Sequence, residues 1–405
     1  MTEAVIQKNN SSVSEYLPVT DGTMYGKISQ IKNVLSMSFD TRINVITGRV
    51  EISPKGRNEF SEMTDIVFNS LRARLIEQYL FSPIQAEILH MVFNSDFSRR
   101  YDPVQEFLCA LPTEDDGRDA IAELSLKATV TANQFGDGID TATVFCEYLK
   151  KWMAANVAMW ADGKPNHTCL SLLGAQGIGK TAFLTKLGIS DRLTYVGAIN
   201  PDDKDSRIMY VEKALIVLDE LEATTRHELS ALKSQMTQEF YDIRRPYSRN
   251  SESLPRRAAF CASANDSGIL SDNTGSRRFL CVQVDSIDYD IPRELVRRAY
   301  SQALRLYRSG FKYWFDEDDI RELEKNNSGF YAACPEEECL LSVFKPDQWN
   351  GLCVEYLTNT EIINVLAAKN PGLRFSSKKL GQVLSAKSFE RGMKGGVYKY
   401  AVMRN

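Results

Sequence analysis

Histidine is nearly missing from this sequence of 405 residues: His90, His167 and His227 stand far apart. Cysteine occurs eight times, but the one close pair, Cys334 and Cys339 in CPEEEC, has no histidine beside it to complete a zinc set. A Cys/His metal centre is therefore not expected, and Cys169 and Cys281, set in apolar runs, read as small packing hydrophobes. No uninterrupted apolar run reaches the roughly 20 residues that cross a membrane, and the polar start, Met1 to Asp21, has no signal-peptide core. The expectation is a cytoplasmic protein with no membrane partner. An excess of one charge is lacking too. With 49 basic against 53 acidic side chains the net charge is −4, so any charged surface must come from local clusters.

What is present is a strand, a glycine loop and a helix in LSLLGAQGIGKTAFLTKL, Leu170 to Leu187. The pattern G-x-x-x-x-G-K-[ST] lets backbone N–H groups wrap a triphosphate. Gly174, Gln176, Gly177, Ile178, Gly179, Lys180, Thr181 and Ala182 are the candidate ATP-binding residues, with Lys180 reaching the β- and γ-phosphates and Thr181 holding Mg2+. A glycine turn without ligand leaves Lys180 unexplained. About 40 residues later the apolar strand Ala214 to Leu218 ends in Asp219-Glu220. Open α/β sheets bind ligands at the carboxyl ends of their strands. Asp219 is then the magnesium-side carboxylate, directly or through water, and Glu220 the candidate general base for an attacking water. A further buried strand, Ala258 to Ala264, closes on Asn265, a candidate to sense the γ-phosphate or hold that water. Arg277-Arg278-Phe279 opens the next strand, Leu280 to Val284. Either arginine is surface charge or stabilises transferred phosphoryl charge.

The rest of the chain frames this core. Tyr25 to Asn69 reads as a small α/β element with a hairpin around Thr47-Gly48, and Met63 to Phe93 has helical spacing, with Pro83 opening a second helix. Asp102-Pro103 starts a short helix that PTEDDG breaks. The acidic triplet Glu114, Asp115 and Asp116 reads as a solvated helix-start cluster. Leu126 to Asp140 is a candidate boundary, and Thr143 to Trp160 an amphipathic helix whose aromatics pack in the core. Between Thr237 and Arg257, arginines alternate with Phe240, Tyr241 and Tyr247; this is a solvated basic loop or a nucleic-acid contact. Helices at Thr360 to Ala368 and Ser376 to Ser385, then a hairpin from Phe389 to Met403, follow the winged-helix order. Lys378 and Lys379 lie on the second helix in a locally basic module.

GAQGIGKT, LIVLDE, DIRRPYSR, CASAN and LSDNTGSRRF, in that order, resemble the virulence-associated E family of phage and mobile-element proteins. These look like superfamily 3 helicases of the AAA+ class, related to poxvirus-type primase-helicases. The resemblance runs from about Tyr101 to Val284. It implies Walker A roles for Lys180 and Thr181, Walker B roles for Asp219 and Glu220, a sensor role for Asn265, and an arginine finger at Arg278 with Arg277 as rival. It puts a single-stranded-DNA pore contact at Arg244, Arg245, Tyr247 and Arg249. The implied fold is α/β: an AAA+ P-loop NTPase core with an α-rich N-terminal region and a C-terminal winged-helix-like domain. The expected division is a flexible tail (1–24), an N-terminal or collar domain (25–140), the ATPase core (141–310), linker helices (311–355) and the winged-helix-like domain (356–405). The implied activity is a DNA helicase or translocase, bacterial or phage encoded, working as a homo-oligomeric ring, expected to be a hexamer, with duplex contacts through the C-terminal domain and a separate primase as partner. Two alternatives stand beside it: an ATP-switched replication initiator or loader, and a partner-triggered defence NTPase.

Overall fold

Cys169–Leu173, Leu215–Leu218 and Ala259–Ala264 carry no polar alternation, and all three are strands buried on both faces, as parallel strands under helices must be. The structure is a computed structural model that describes residues 24–79, 86–115, 117–201, 203–245, 250–265, 268–270, 276–331, 335–349 and 354–405. The tail, Pro83, Asp116, Tyr247, Arg249, Cys334 and most of LSDNTGS lie outside the described residues. One unit takes Met1–Ala264 and Arg278–Ile320, the other Asn265–Arg277 and Arg321–Asn405.

The first unit begins with α1 (Met24–Ser38), β1 (Phe39–Asn44), β2 (Val50–Pro54), β3 (Ser61–Glu62), α2 (Asp65–Tyr79), α3 (Ala86–Phe93) and β4 (Arg99–Tyr101). The strands form a sheet in the order β3-β2-β1-β4. The region is rich in helix and carries a small sheet, of which β3 and β4 are too short to leave a periodic signal in the sequence. The Thr47-Gly48 hairpin is present, antiparallel, with helix rather than strand up to Ser38. Its turn is held by Asn44 Oδ1, which accepts from the backbone N–H groups of Ile46 and Thr47. Val34, Leu35, Leu75, Leu89 and Phe93 fill the core beneath.

Asp102 caps α4 (Pro103–Cys109) by accepting from Val104 and Gln105, and α5 (Ala120–Ser125) follows the PTEDDG break. The stretch read as a boundary holds β5 (Ala128–Val130), which joins the main sheet antiparallel to its last strand. Next comes α6 (Thr141–Asp162), capped by Asp140 and ended by Gly163 at φ 68°, the left-handed value that glycine accepts without strain. Its indoles are core residues with satisfied N–H groups: Trp152 donates to Phe260 O at 3.0 Å and Trp160 to Arg257 O at 2.9 Å.

The remaining elements of this unit are β6 (Cys169–Leu173), α7 (Lys180–Lys186), β7 (Thr194–Val196), α8 (Lys204–Glu212), β8 (Leu215–Leu218), α9 (Arg226–Gln235), β9 (Phe240–Ile243), β10 (Glu252–Pro255), β11 (Ala259–Ala264), β12 (Phe279–Ile287) and α10 (Arg293–Arg308). The central sheet runs β5-β12-β6-β11-β8-β7, parallel except for β5. Cys169, Cys261 and Cys281 are fully buried in it, and desolvation pushes the Cys169 thiol up to about 12, so these thiols pack rather than react. The β9–β10 hairpin is fastened to the sheet by Arg256, only 2% exposed, which donates to the carbonyls of Gln238, Met236, Ala258 and Asn166.

The second unit contains α11 (Glu317–Asn327) from Arg321 onward, α12 (Pro335–Val343), β13 (Phe344–Pro346), β14 (Glu355–Leu357), α13 (Asn359–Lys369), α14 (Ser377–Ala386), β15 (Arg391–Lys394) and β16 (Val397–Arg404). Thr358 and Glu361 form a capping box on α13, and Ser376 caps α14. Strand β16 pairs with β13, β14 and β15, and Leu340, Phe344, Ile362, Leu366, Leu380 and Leu384 form the core. Helix, helix and hairpin thus occur in the expected order. Across the described residues, no helix is long and apolar enough to cross a membrane.

Burial pushes the Arg256 guanidinium down to about 10, and its four carbonyl acceptors are what keep it charged and buried. Arg256→Met keeps the bulk but strands those carbonyls. It should cost about 3–5 kcal/mol in the urea unfolding midpoint; a loss below about 1 kcal/mol would show that the hairpin holds without it.

Candidate functional site

The site is assembled by strand register. In β11, Ala262 lies opposite Leu218 of β8, and Ser263 lies opposite Leu172 of β6. The carboxyl ends of three neighbouring strands therefore deliver the loop after Leu173, the Asp219-Glu220 pair after Leu218, and Ser263 to one edge. Gly174, Gly177 and Gly179 all have positive φ, and a Cβ on Gly174 would stand 2.3 Å from Val284 O, so the loop is pressed against β12 where only glycine fits.

Lys180 is buried, and its Nζ donates to the carbonyls of Gly174 and Ala175, both at 2.8 Å. Burial lowers its pKa, opposed by the charges of Glu222 and Asp219. Thr181 Oγ1 donates to Asp219 Oδ1 at 2.8 Å, Ser263 Oγ donates to the same oxygen at 2.5 Å, and the two hydroxyls are 3.2 Å apart. Burial raises the Asp219 carboxyl, but the hydrogen bonds from Ser263, Thr181 and the Glu220 backbone, with the Lys180 charge, outweigh it and hold it below its ordinary value. Glu220 is exposed and has left-handed backbone, φ 54° and ψ 52°, a conformation that costs a non-glycine residue about 1–2 kcal/mol. Gln176 and Ala182 are exposed on the loop and helix, while Ile178 and Thr181 are half-buried. The cluster can hold a divalent cation on hard oxygens, Thr181 and Asp219, beside a buried ammonium.

A family model described as the virulence-associated protein E-like domain matches residues 126–332, just over half of the chain. The chain belongs to the virulence-associated protein E-like family. The family region contains the whole cluster of Lys180, Thr181, Asp219, Glu220 and Ser263. Solved structures similar to the chain include the apo structure of the NrS-1 C-terminal region (305–718), at 13% identity and TM-score 0.47, covering 92% of this chain and 98% of that one. The A form apo structure of the same region matches at 12% identity and TM-score 0.44, with the same coverage. No curated protein matches the chain.

Other candidate residues of this family member are distributed more widely. Asn265 is exposed and follows β11 directly, in the second unit. Arg277 is exposed and Arg278 half-buried, on a short helical turn before β12. Arg244 is exposed at the loop end of the β9–β10 hairpin, directly after Ile243. Arg245 is turned the other way: its Nη2 donates to Ile46 O, its guanidinium lies where a Cβ on Gly48 would stand 2.4 Å from Nη1, and Glu212 and Glu252 flank it at 3.9 and 3.5 Å. Its charge is spent inside the first unit, in a slot floored by glycine in the β1–β2 turn. Lys378 and Lys379 are exposed on the first turn of α14, beyond the family region.

Two residues escape sequence reasoning. Ser263 is a lone hydroxyl in an apolar strand, and its polarity was the available signal. Tyr289, whose ring crowds Gly179, carries no motif at all.

Ser263→Ala removes the shortest hydrogen bond to Asp219, so the Asp219 carboxyl should move up towards its ordinary value. A carboxyl with a depressed folded-state pKa stabilises the fold above its unfolded value and loses that contribution as pH falls through the folded value. The stability gap between wild type and Ser263→Ala should therefore be present at pH 7 and shrink below about pH 4. Denaturant titrations at both pH values check this; a gap equal at both would refer the effect to packing.

Proposed function

We propose that this protein is an ATP- and Mg2+-dependent NTPase that couples hydrolysis to movement along DNA as a homo-oligomeric ring, with six subunits as the expected number. The observation that carries the reading is the meeting of Lys180 with the Thr181–Asp219–Ser263 cluster at the ends of adjacent parallel strands. Phosphoryl transfer needs positioning and charge stabilisation more than covalent chemistry from the protein, and these groups supply both. Phosphate oxygens take the place of the Gly174 and Ala175 carbonyls as acceptors for Lys180. Thr181 and Asp219 hold Mg2+, which when bound neutralises phosphate charge. Glu220 orients the attacking water, Asn265 senses the γ-phosphate, and Arg278 reaches the site of a neighbouring subunit. Arg244 and the arginine-tyrosine loop after it contact single-stranded DNA. The 356–405 segment acts as a winged-helix-like module in which Lys378 and Lys379 meet duplex phosphates. The AAA+ P-loop description of the core, its cytoplasmic location and a separate primase partner belong to the same reading.

A second reading, an ATP-switched loader that does not unwind DNA, is favoured by the tethering of Arg245 to the β1–β2 turn, which ties down the loop end of the hairpin.

The test is the ATPase rate with and without single-stranded DNA, with the mass in solution recorded with and without ATP. Stimulation by DNA in nucleotide-dependent rings is the expected result; hydrolysis by a monomer indifferent to DNA would overturn the translocase. Lys180→Ala should lower turnover by at least about 100-fold, since it removes a charge aimed at the transferred group. Arg278→Ala should keep nucleotide binding and lose hydrolysis, with partial recovery on mixing with Lys180→Ala subunits.

A further inference from the structure

The hairpin that ends the second unit is built to project. Strands β15 and β16 pair Arg391 with Tyr400, Gly392 with Lys399, Met393 with Tyr398 and Lys394 with Val397, and the turn Gly395-Gly396 joins them. Both turn glycines have positive φ, 64° and 76°, as a tight hairpin turn needs, and a Cβ on either would meet nothing within 4 Å. The stem is braced on one face. Gly392 lies against the Trp349 indole, where a Cβ would stand 2.6 Å from Cζ2, and the Trp349 and Tyr356 ring centroids are 4.8 Å apart. Tyr356 Oη donates to Trp349 O, and the Trp349 N–H donates to Glu390 Oε2 at 2.6 Å. Lys394, on the same hairpin face as Gly392, brings Nζ to 3.4 Å from the Tyr356 ring centroid.

The other face runs from core to solvent. Side chains alternate along each strand, so Arg391, Met393, Tyr398 and Tyr400 share it. Tyr400 is buried in the core at the inner end, whereas Met393 and Tyr398 at the outer end are 61% and 55% exposed. The Arg391 guanidinium lies 4.3 Å from the Tyr398 ring centroid and orients the ring. Val397, beside the turn, is 51% exposed. A single exposed apolar side chain needs no explanation; three at the tip of a braced hairpin do. Lys387 and Arg404 are spent on Glu337 and Glu355. Arg391, Lys394, Lys378 and Lys379 are exposed and meet no carboxylate among the described residues.

An apolar and aromatic plate edged by unspent cations is complementary to bases and phosphates. Two strands about 4.8 Å apart, with their side chains, overfill a minor groove about 6 Å wide, and the major groove presents only base edges. Base faces are open where the stack ends. We propose that the Met393–Tyr398 tip stacks on the last base pair of duplex DNA where the duplex opens into single strands, with Arg391 and Lys394 on the flanking phosphates. The proposal rests on the DNA reading of this unit and gives the hairpin a preference for junctions over continuous duplex.

The experiment titrates the full chain, by fluorescence anisotropy at one fixed salt concentration, with a forked duplex, the same duplex closed by a loop at each end, and one single-stranded arm. The double variant Met393→Ala with Tyr398→Ala should weaken fork binding about tenfold, the scale of one aromatic–base stack, and leave the closed duplex and the single strand unchanged. Tyr398→Phe should keep all three. Unchanged fork affinity in the double variant, or an equal loss on the closed duplex or the single strand, overturns the junction contact while leaving the translocase reading intact. A double variant that keeps the fork but loses binding to phosphatidylserine vesicles assigns the tip to a lipid surface and overturns it as well. Wild-type protein that binds none of the three DNAs overturns both readings.

Discussion

Strand β11 is hydrogen-bonded along both edges, to β6 on one side and to β8 on the other, and this double pairing decides where each polar group of the cleft finishes. A shift of one residue would turn Ser263 to the other face of the sheet and separate it from Asp219. Because all three strands are buried on both faces, no such shift is available without exposing apolar surface or burying a carboxylate. The geometry of Thr181, Asp219 and Ser263 is thus a by-product of core packing. The cleft inherits the rigidity of the most deeply buried part of the protein.

Around that sheet, polar contacts fix elements that apolar packing alone would leave free to slide. The two α6 indoles bond the carbonyls of Phe260 and Arg257, and Arg257 in turn pairs with Asp102, the cap of α4, at 2.8 Å. Arg256 grips the β9–β10 hairpin from below, and Arg245 ties its upper end to the β1–β2 turn. The hairpin is consequently anchored at both ends, by Arg256 beyond Pro255 and by Arg245 on the loop side of Ile243. A displacement of the β1–β2 turn would be felt at the hairpin, and this gives the N-terminal sheet a mechanical connection to the candidate DNA-contacting segment.

Much of this was legible in the residues, for physical reasons that differ from place to place. Long apolar runs between turn residues marked β6, β8 and β11, and Asp102-Pro103, Ser376 and Thr47-Gly48 announced caps and a turn through local hydrogen bonding and φ preference. The glycines of the loop and Lys180 were readable because their spacing is itself the chemistry. Ser263 was not, since it joins the cluster only through Asp219 and Thr181, far away in the chain. Strands β3, β4 and β5, of two or three residues, are too short to show a period. Arg245 was visible as a cation, but the carbonyl and glycine that receive it lie about 200 residues earlier.

Glu220 is held in a backbone conformation that glycine or asparagine would adopt with less strain. Selection for robustness alone would therefore drift away from glutamate at this position, as would any redesign scored on folding energy. The glutamate here carries that conformational cost at the end of β8, next to Asp219. Thermal optimisation of this protein should accordingly treat residue 220 as fixed, and seek its gains at a distance from the end of β8.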